Sequence, residues 1–403
     1  MTASTLHAST LTYLDHAASS PQRPEVTAVM AELAGLPGNP SATHAAGRRV
    51  RARVEEAREE LAAAIGAHPT EIVFTSGGTE ADNLAVLGAH AECVAQGAPV
   101  VTTPVEHAAV ARAVAHLAGR GIPVHEAALD EGGQVDRAAW EEALCGAGPA
   151  TLRGAGPAAA SALATVAWVQ NETGVAQGVP ALAEVARRHG AVVHSDAVQA
   201  IGHVPVDFAA SGLDLLSLAG HKVGGPQGVG ALVVRRGVRL APIGFGGGQE
   251  ARVRSGTVPV ALVAGLAAAV RVAVEELADE GERVRGLRDE MEARVLALDP
   301  GIRVTGAGAP RASHIAHLTI EGCRSEDLLF LLDAQGVCVS GGSACSAGVT
   351  RPSPVLLAMG HGEAEAESVL RVSLGWSSTP EDVERLVAVL PEVVERARAA
   401  ARV

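Results

Sequence analysis

Ser217 to Ala231 reads SLAGHKVGGPQGVGA: the end of an apolar run, a histidine and a lysine side by side, then a glycine-rich turn. The run Leu213–Leu218 is short, apolar and bounded by turn residues, so it predicts a buried strand. His221 and Lys222 then stand just past that strand's carboxyl end. Ligands of open α/β sheets bind there, in the crevice lined by the loops that follow the strands. An amine in an apolar or cationic setting has a lowered pKa and suits Schiff-base chemistry with a carbonyl. A surface-loop lysine fits this stretch alone equally well, because a His-Lys pair is a weak motif.

Outward from this stretch, strand-like and helical runs alternate. Glu71–Phe74, Pro99–Thr102, Ile122–His125, Ala164–Val169, Ala191–Val193 and Gly230–Val234 predict strands. Val50, Val54, Ala57, Leu61 and Ile65 recur at helical spacing, and helices follow near Ala108–Leu117 and Arg137–Leu144. Such alternation implies βαβ units and an α/β fold around a mostly parallel sheet. Beyond the apolar runs stand Glu106 and His107, Gln170 and Asn171, Asp196 and Gln199, His221 and Lys222. Each pair alone is ordinary loop polarity; together they line one crevice, as a small-molecule site requires. In FTSGGTEADNLA, Gly78 and Thr79 open a helix whose unpaired N–H groups form an anion site, though a plain N-cap reads the same way. A long helix is expected over Val260–Leu298, followed by a mixed region with a helix at Ser325–Ala334 and a strand at Val337–Ser340. The expected division is a large domain over residues 13–260 and a smaller α+β domain over 261–403, with residues 1–20 packing near the latter. Residues 146–160, rich in Gly, Pro and Ala, predict a surface excursion.

The 403 residues are 48% hydrophobic but only 2% aromatic, so the core is built from Ala, Val and Leu. A net charge of −13 without a basic run argues against a nucleic-acid surface. The first residues, MTASTLHAST, lack a signal-peptide pattern, and no apolar stretch has membrane-spanning length; a soluble, cytoplasmic protein is expected. Five cysteines, with no CxxC pair or zinc spacing, disfavour a disulfide framework and a metal site. Cys345 lies among small residues in SGGSACSAG, the setting of a reactive thiol. Cys93 and Cys338, flanked by hydrophobes, predict core filling; Cys145 and Cys323 stay undecided.

YLDHAA, GNPSATH, FTSGGTEADNLA, EHAAV, QNETG, HSDAVQAIG, GHKVGGPQGVGAL, GGGQEARVRSGT and SGGSACSAG, in this order and spacing, resemble the cysteine desulfurases. These are pyridoxal-phosphate enzymes of the class V aminotransferase group. The resemblance runs from Tyr13 to Ser378 and implies fold type I of these transferases. By it, Lys222 would carry the cofactor and Asp196 would face its pyridine nitrogen. His107 would stack on the ring and relay protons, Gln199 would donate to the phenolic oxygen, and Asn171 would be a further contact. Gly78, Thr79 and His221 would hold the phosphate, with Thr257 reaching across a homodimer to the neighbouring subunit's site. Asn39 and Arg371 would hold the substrate carboxylate. Cys345 would take sulfur from L-cysteine as a persulfide, leaving alanine, and pass it to an acceptor protein whose identity the sequence leaves open. SGGSACSAG resembles the group with the longer, mobile cysteine loop. One departure is Ala219, where the family usually has a phosphate-contacting serine; Ser217 sits one pleat further back. A selenocysteine lyase or another β-lyase on the same scaffold remains the alternative.

Overall fold

The computed structural model describes residues 11–146, 160–342 and 352–401. The chain enters through a two-residue strand, β1 (Thr12–Tyr13). The central sheet comprises β2 (Ile72–Thr75), β3 (Val100–Thr102), β4 (Val124–Glu126), β5 (Leu163–Thr165), β6 (Val192–Asp196), β7 (Leu215–Ala219) and β8 (Gly230–Val234). Their order is β2-β8-β7-β6-β5-β3-β4, parallel throughout except for β8, which runs antiparallel to both neighbours. The inner strands β5 and β7 are buried along their whole length, which is why they read as apolar runs rather than alternating ones.

A second sheet, β12-β10-β9, is antiparallel and built from β9 (Ile302–Val304), β10 (Ile315–Ile320) and β12 (Val369–Ser373). The strand β11 (Val337–Cys338) pairs in parallel with β1, and Leu14 joins the core around this second sheet. The entering segment therefore packs there while its continuation, Ala17 and Ala18, reaches Lys222.

The helix expected over Val260–Leu298 is two helices, Val260–Glu275 and Leu277–Leu298, meeting at Glu276. The first is Ala/Val-rich and shares the core of the large sheet; the second carries charge on one face and packs Val284, Met291 and Val295 into the core of the second sheet. Arg23 pairs with Glu276 at 2.7 Å, tying the change of partner to the N-terminal segment. The cysteine expectation is also corrected: among the described residues Cys323 is the buried cysteine, whereas Cys93 and Cys338 are only half-buried. Hydrophobic flanks placed the last two near the core, but their own side chains lie at its edge.

Candidate active site

Register puts the central groups together. Asp196 ends β6 and pairs with Ser217 on β7, so the chain needs only the rest of β7 and a tight turn, Gly220–Lys222, to bring Lys222 to the same sheet edge. Gly224, just beyond, adopts φ +78°, and an added Cβ would meet Arg23 at 2.7 Å. Glycine is required there to turn the chain back into β8. Lys222 Nζ donates to the carbonyls of Ala17 (2.6 Å) and Ala18 (2.9 Å).

Asp196 is buried, and its Oδ1 accepts from Val198 N at 2.8 Å. Burial pushes its carboxyl above the ordinary aspartate range, opposed by His107, the Val198 N–H and the Lys222 charge. His107 is the N-cap of the helix Ala108–Gly119, its Nδ1 accepting from Ala109 N at 3.2 Å, which leaves the proton on Nε2. A ring nitrogen of His107, an oxygen of Asp196 and an oxygen of Asp82 all lie within 4.8 Å of one another. His107 and Thr79 line one open depression of about 470 Å³, with Asn83 and Arg112. At its edge begins the helix Gly78–Asn83, where an added Cβ on Gly78 would meet Val198 at 2.8 Å; only glycine allows this approach. Glu80 in this first turn accepts from Ser76 N and pairs with Arg254 at 3.1 Å, pinning the loop before Val260 to the helix start.

Gln199 is buried between the N-terminal segment and the second sheet, donating to Ala17 O (2.8 Å) and standing 3.2 Å from His314 Nε2. Arg371, on β12, is buried; it donates to Asn171 O (2.8 Å) and pairs with Asp15 (3.0 Å). Its Nε is buried with no partner among the described residues. His221 lies 3.4 Å from Ser19 Oγ, and burial together with Lys222 pushes its pKa down to about 4. Asn39 is exposed, its Oδ1 accepting from Ser41 N. Thr257 is exposed and makes no hydrogen bond among the described residues. The structure thus groups Lys222, Asp196, His107 and Gln199 at the sheet edge, Thr79 beside His107, and Asn171 with Arg371. It does not bring Asn39 or Thr257 to them. Cys345 lies outside the described residues, as does most of the 146–160 stretch.

Ser217 does not stand in for the missing serine at Ala219. It is fully buried, 2.9 Å from His194 Nε2. Three more groups are not apparent from sequence: Asp15 against Arg371, His314 against Gln199, and Asp82 beside Asp196. Only Asp82 leaves a readable signal, an acid on the same helical face as the buried Ala85, Val86 and Ala89.

The buried histidines set an expected pH profile. His194 and His317 are fully buried and neutral, their pKa values pushed down to about 3 by burial. The unfolded chain binds protons at these positions below about pH 6.5 and the folded chain only near 3, so stability falls as pH drops through that window. Each such histidine costs on the order of 5 kcal/mol once pH reaches 3. Glu106 works in the opposite direction: burial raises it to about 8, so its contribution is lost as pH climbs from about 4.5 to 8. With two such histidines against one Glu106, urea-unfolding midpoints are expected to peak at about pH 6.5 and to collapse steeply below about 4.5, where the histidine effect is unopposed. A flat profile from pH 6 to 3.5 would contradict the neutral assignment.

The fold and this set of groups define a class. The family model for class V aminotransferases matches residues 12–386, and the chain belongs to that family. Within it the chain belongs to the cysteine desulfurases. It is 44% identical over 398 residues to the IscS-like cysteine desulfurase of Mycobacterium tuberculosis, covering 97% of this chain and 98% of that protein. Among solved structures, the NifS-like protein of Rickettsia africae superposes with a TM-score of 0.84 at 28% identity, covering 96% of this chain and 99% of that one. A structure of SspA in complex with cysteine matches with a TM-score of 0.75 at 31% identity, covering 90% of this chain and 98% of that one. Among the described residues no helix is long and apolar enough to cross a membrane.

Proposed function

We propose that this protein is a pyridoxal-phosphate-dependent cysteine desulfurase that converts L-cysteine to L-alanine and takes the sulfur onto Cys345. The observation that carries the reading is the meeting of Lys222 and Asp196 at adjacent strand ends, with His107 facing Asp196, in a chain nearly half identical to a named cysteine desulfurase. The residues fit the cofactor. A buried carboxyl near Lys222 suits a protonated ring nitrogen; a glycine-opened helix start suits a phosphate; and an amine stands at the strand end. Gly78, Thr79 and His221 would hold the phosphate, Asp196 the ring nitrogen, Gln199 the phenolic oxygen, Asn171 and His107 the ring, and Lys222 the covalent link. When bound, pyridoxal phosphate supplies a sink for the electron pair released at the substrate Cα.

The chain's own groups do the rest. Arg371 would fork onto the substrate carboxylate, helped by Asn39, with Asp15 giving way at the guanidinium. Lys222 Nζ would take the Cα proton and return one to the product carbon, and His107 Nε2 would handle the thiol proton. The Cys345 thiolate attacks the substrate sulfur: an S–S bond forms, the Cβ–S bond breaks, and its electron pair passes to the departing three-carbon fragment, which leaves as alanine. The persulfide then goes to an acceptor protein. Thr257, exposed in one chain, would complete the phosphate site of a second copy in a homodimer.

Product analysis tests this. Incubation with L-cysteine and a reductant is expected to yield alanine and sulfide in equal amounts, with no pyruvate. Pyruvate and ammonia in place of alanine would mean β-elimination and would replace the desulfurase reading with that of a lyase.

A further inference from the structure

Asp82 has no part in the mechanism just described, yet it is placed against the centre of the site. It projects from the helix Gly78–Asn83 toward the sheet, is 1% exposed, and its Oδ1 has no hydrogen-bond partner among the described residues. One of its oxygens lies within 4.8 Å of an oxygen of Asp196. Behind it, His194 Nε2 stands 3.7 Å from Asp82 Oδ1 and 2.9 Å from Ser217 Oγ, while His194 Nδ1 stands 2.9 Å from Thr165 Oγ1. Polar side chains from three neighbouring strands thus converge behind this carboxyl.

Two buried carboxyls this close cannot both ionise without a large cost, so one must keep its proton. The surroundings choose which. The Val198 N–H and the Lys222 charge act on Asp196, and His107 lies within 4.8 Å of both carboxyls. Asp82 faces Asp196, the buried Glu106, the Ser217 hydroxyl and the neutral His194, and the Ser217 hydroxyl is what opposes its burial. Burial accordingly drives the Asp82 carboxyl well above the ordinary range.

We propose that Asp82 is a positioning residue that stays protonated and donates toward Asp196 from behind, so that the single negative charge of the pair rests on Asp196 and faces the cofactor site. The proton does not move during turnover; it fixes which carboxyl is the anion. Ser217 and His194 hold Asp82 in the orientation that makes this possible. The inference rests on the assignment of Asp196 to the cofactor's ring nitrogen.

The test uses the holoenzyme with pyridoxal 5'-phosphate, comparing wild type, Asp82→Asn and Asp82→Ala. An infrared difference spectrum of wild type minus Asp82→Asn is expected to show the carbonyl stretch of a protonated carboxylic acid. An amide can donate as a neutral acid does, so Asp82→Asn is expected to hold the cofactor within about threefold of wild type. Asp82→Ala, which removes the donor to a charged acceptor, is expected to weaken cofactor binding by roughly tenfold or more. Absence of the infrared band overturns the proposal, as does an Asp82→Asn affinity as poor as that of Asp82→Ala, or an unchanged Asp82→Ala. If the alanine variant fails to fold, the infrared comparison with the near-isosteric asparagine decides. A wild type that takes up no pyridoxal 5'-phosphate would sink the cofactor reading instead, and the infrared band would still report the protonation of Asp82.

Discussion

Lys222→Ala is expected to remove the yellow colour of the lysine-linked cofactor and to lower turnover of L-cysteine by roughly 10⁴-fold or more, because both the covalent anchor and the Cα base are lost. Several details make this a clean experiment. Lys222 sits in a turn after β7, outside the sheet's hydrogen-bond ladder, so its truncation does not disturb strand pairing. Its two acceptors are the carbonyls of Ala17 and Ala18, and Ala17 O keeps the Gln199 donor at 2.8 Å. Loss of one acceptor's partner costs about 1–3 kcal/mol, which a domain of this size tolerates. Lys222→Arg separates the two roles of the side chain. It keeps the positive charge near Asp196 but offers no amine for the covalent link, so it is expected to bind the cofactor reversibly and to remain inactive. Turnover within tenfold of wild type in either variant would remove Lys222 from the chemistry.

The strand ends that carry this site are legible in the sequence because buried parallel strands announce themselves as apolar runs, and the polar residues directly after each run must lie at one sheet edge. Leu213–Leu218 and Gly230–Val234 agree with the observed strands within two residues, and Asp196 and Lys222 come with them. Contacts made across the fold are not legible. Asp15 and Arg371 are 356 residues apart, and nothing local to YLDHAA says that its aspartate meets a guanidinium on another sheet. The break at Glu276 is hidden for a related reason: no proline or glycine marks it, and the change of packing partner that causes it is tertiary. Cys93 and Cys338 show the limit of flanking hydrophobicity as a guide to burial. It reports the neighbourhood of a backbone position, and the thiol of Cys93 instead turns to the Arg239 carbonyl.

Cys345→Ala is the variant that separates sulfur transfer from the rest of the chemistry. It is expected to keep the cofactor colour, since every group assigned to the cofactor lies elsewhere, while alanine release from L-cysteine drops by roughly 10³-fold or more through loss of the nucleophile. Burial pushes the thiols of Cys93, Cys323 and Cys338 up, and negative neighbours push further, Glu92 at Cys93 and Asp333 and Asp15 at Cys338, so these three are poor sources of thiolate. Cys338 is the sharpest control because its strand leads directly to Ser340, which pairs with Arg371. Position alone would allow it to substitute; its raised pKa argues that it does not. Gly342 and Ser353 both lie against the carboxyl of Glu172. Ser353 Oγ donates to Glu172 Oε2 at 2.6 Å, and an added Cβ on Gly342 would meet that oxygen at 2.5 Å. Burial raises the Glu172 carboxyl, while Ser353 and Arg371 pull it down. Gly342 and Ser353 thus stand near the place where the substrate carboxylate is proposed to bind. Mass spectrometry after incubation with L-cysteine is expected to find one added sulfur on the peptide containing Cys345, in the wild type and in Cys338→Ser alike. The added sulfur on Cys338 instead, or alanine release undiminished in Cys345→Ala, would assign the transfer to a different thiol or to none.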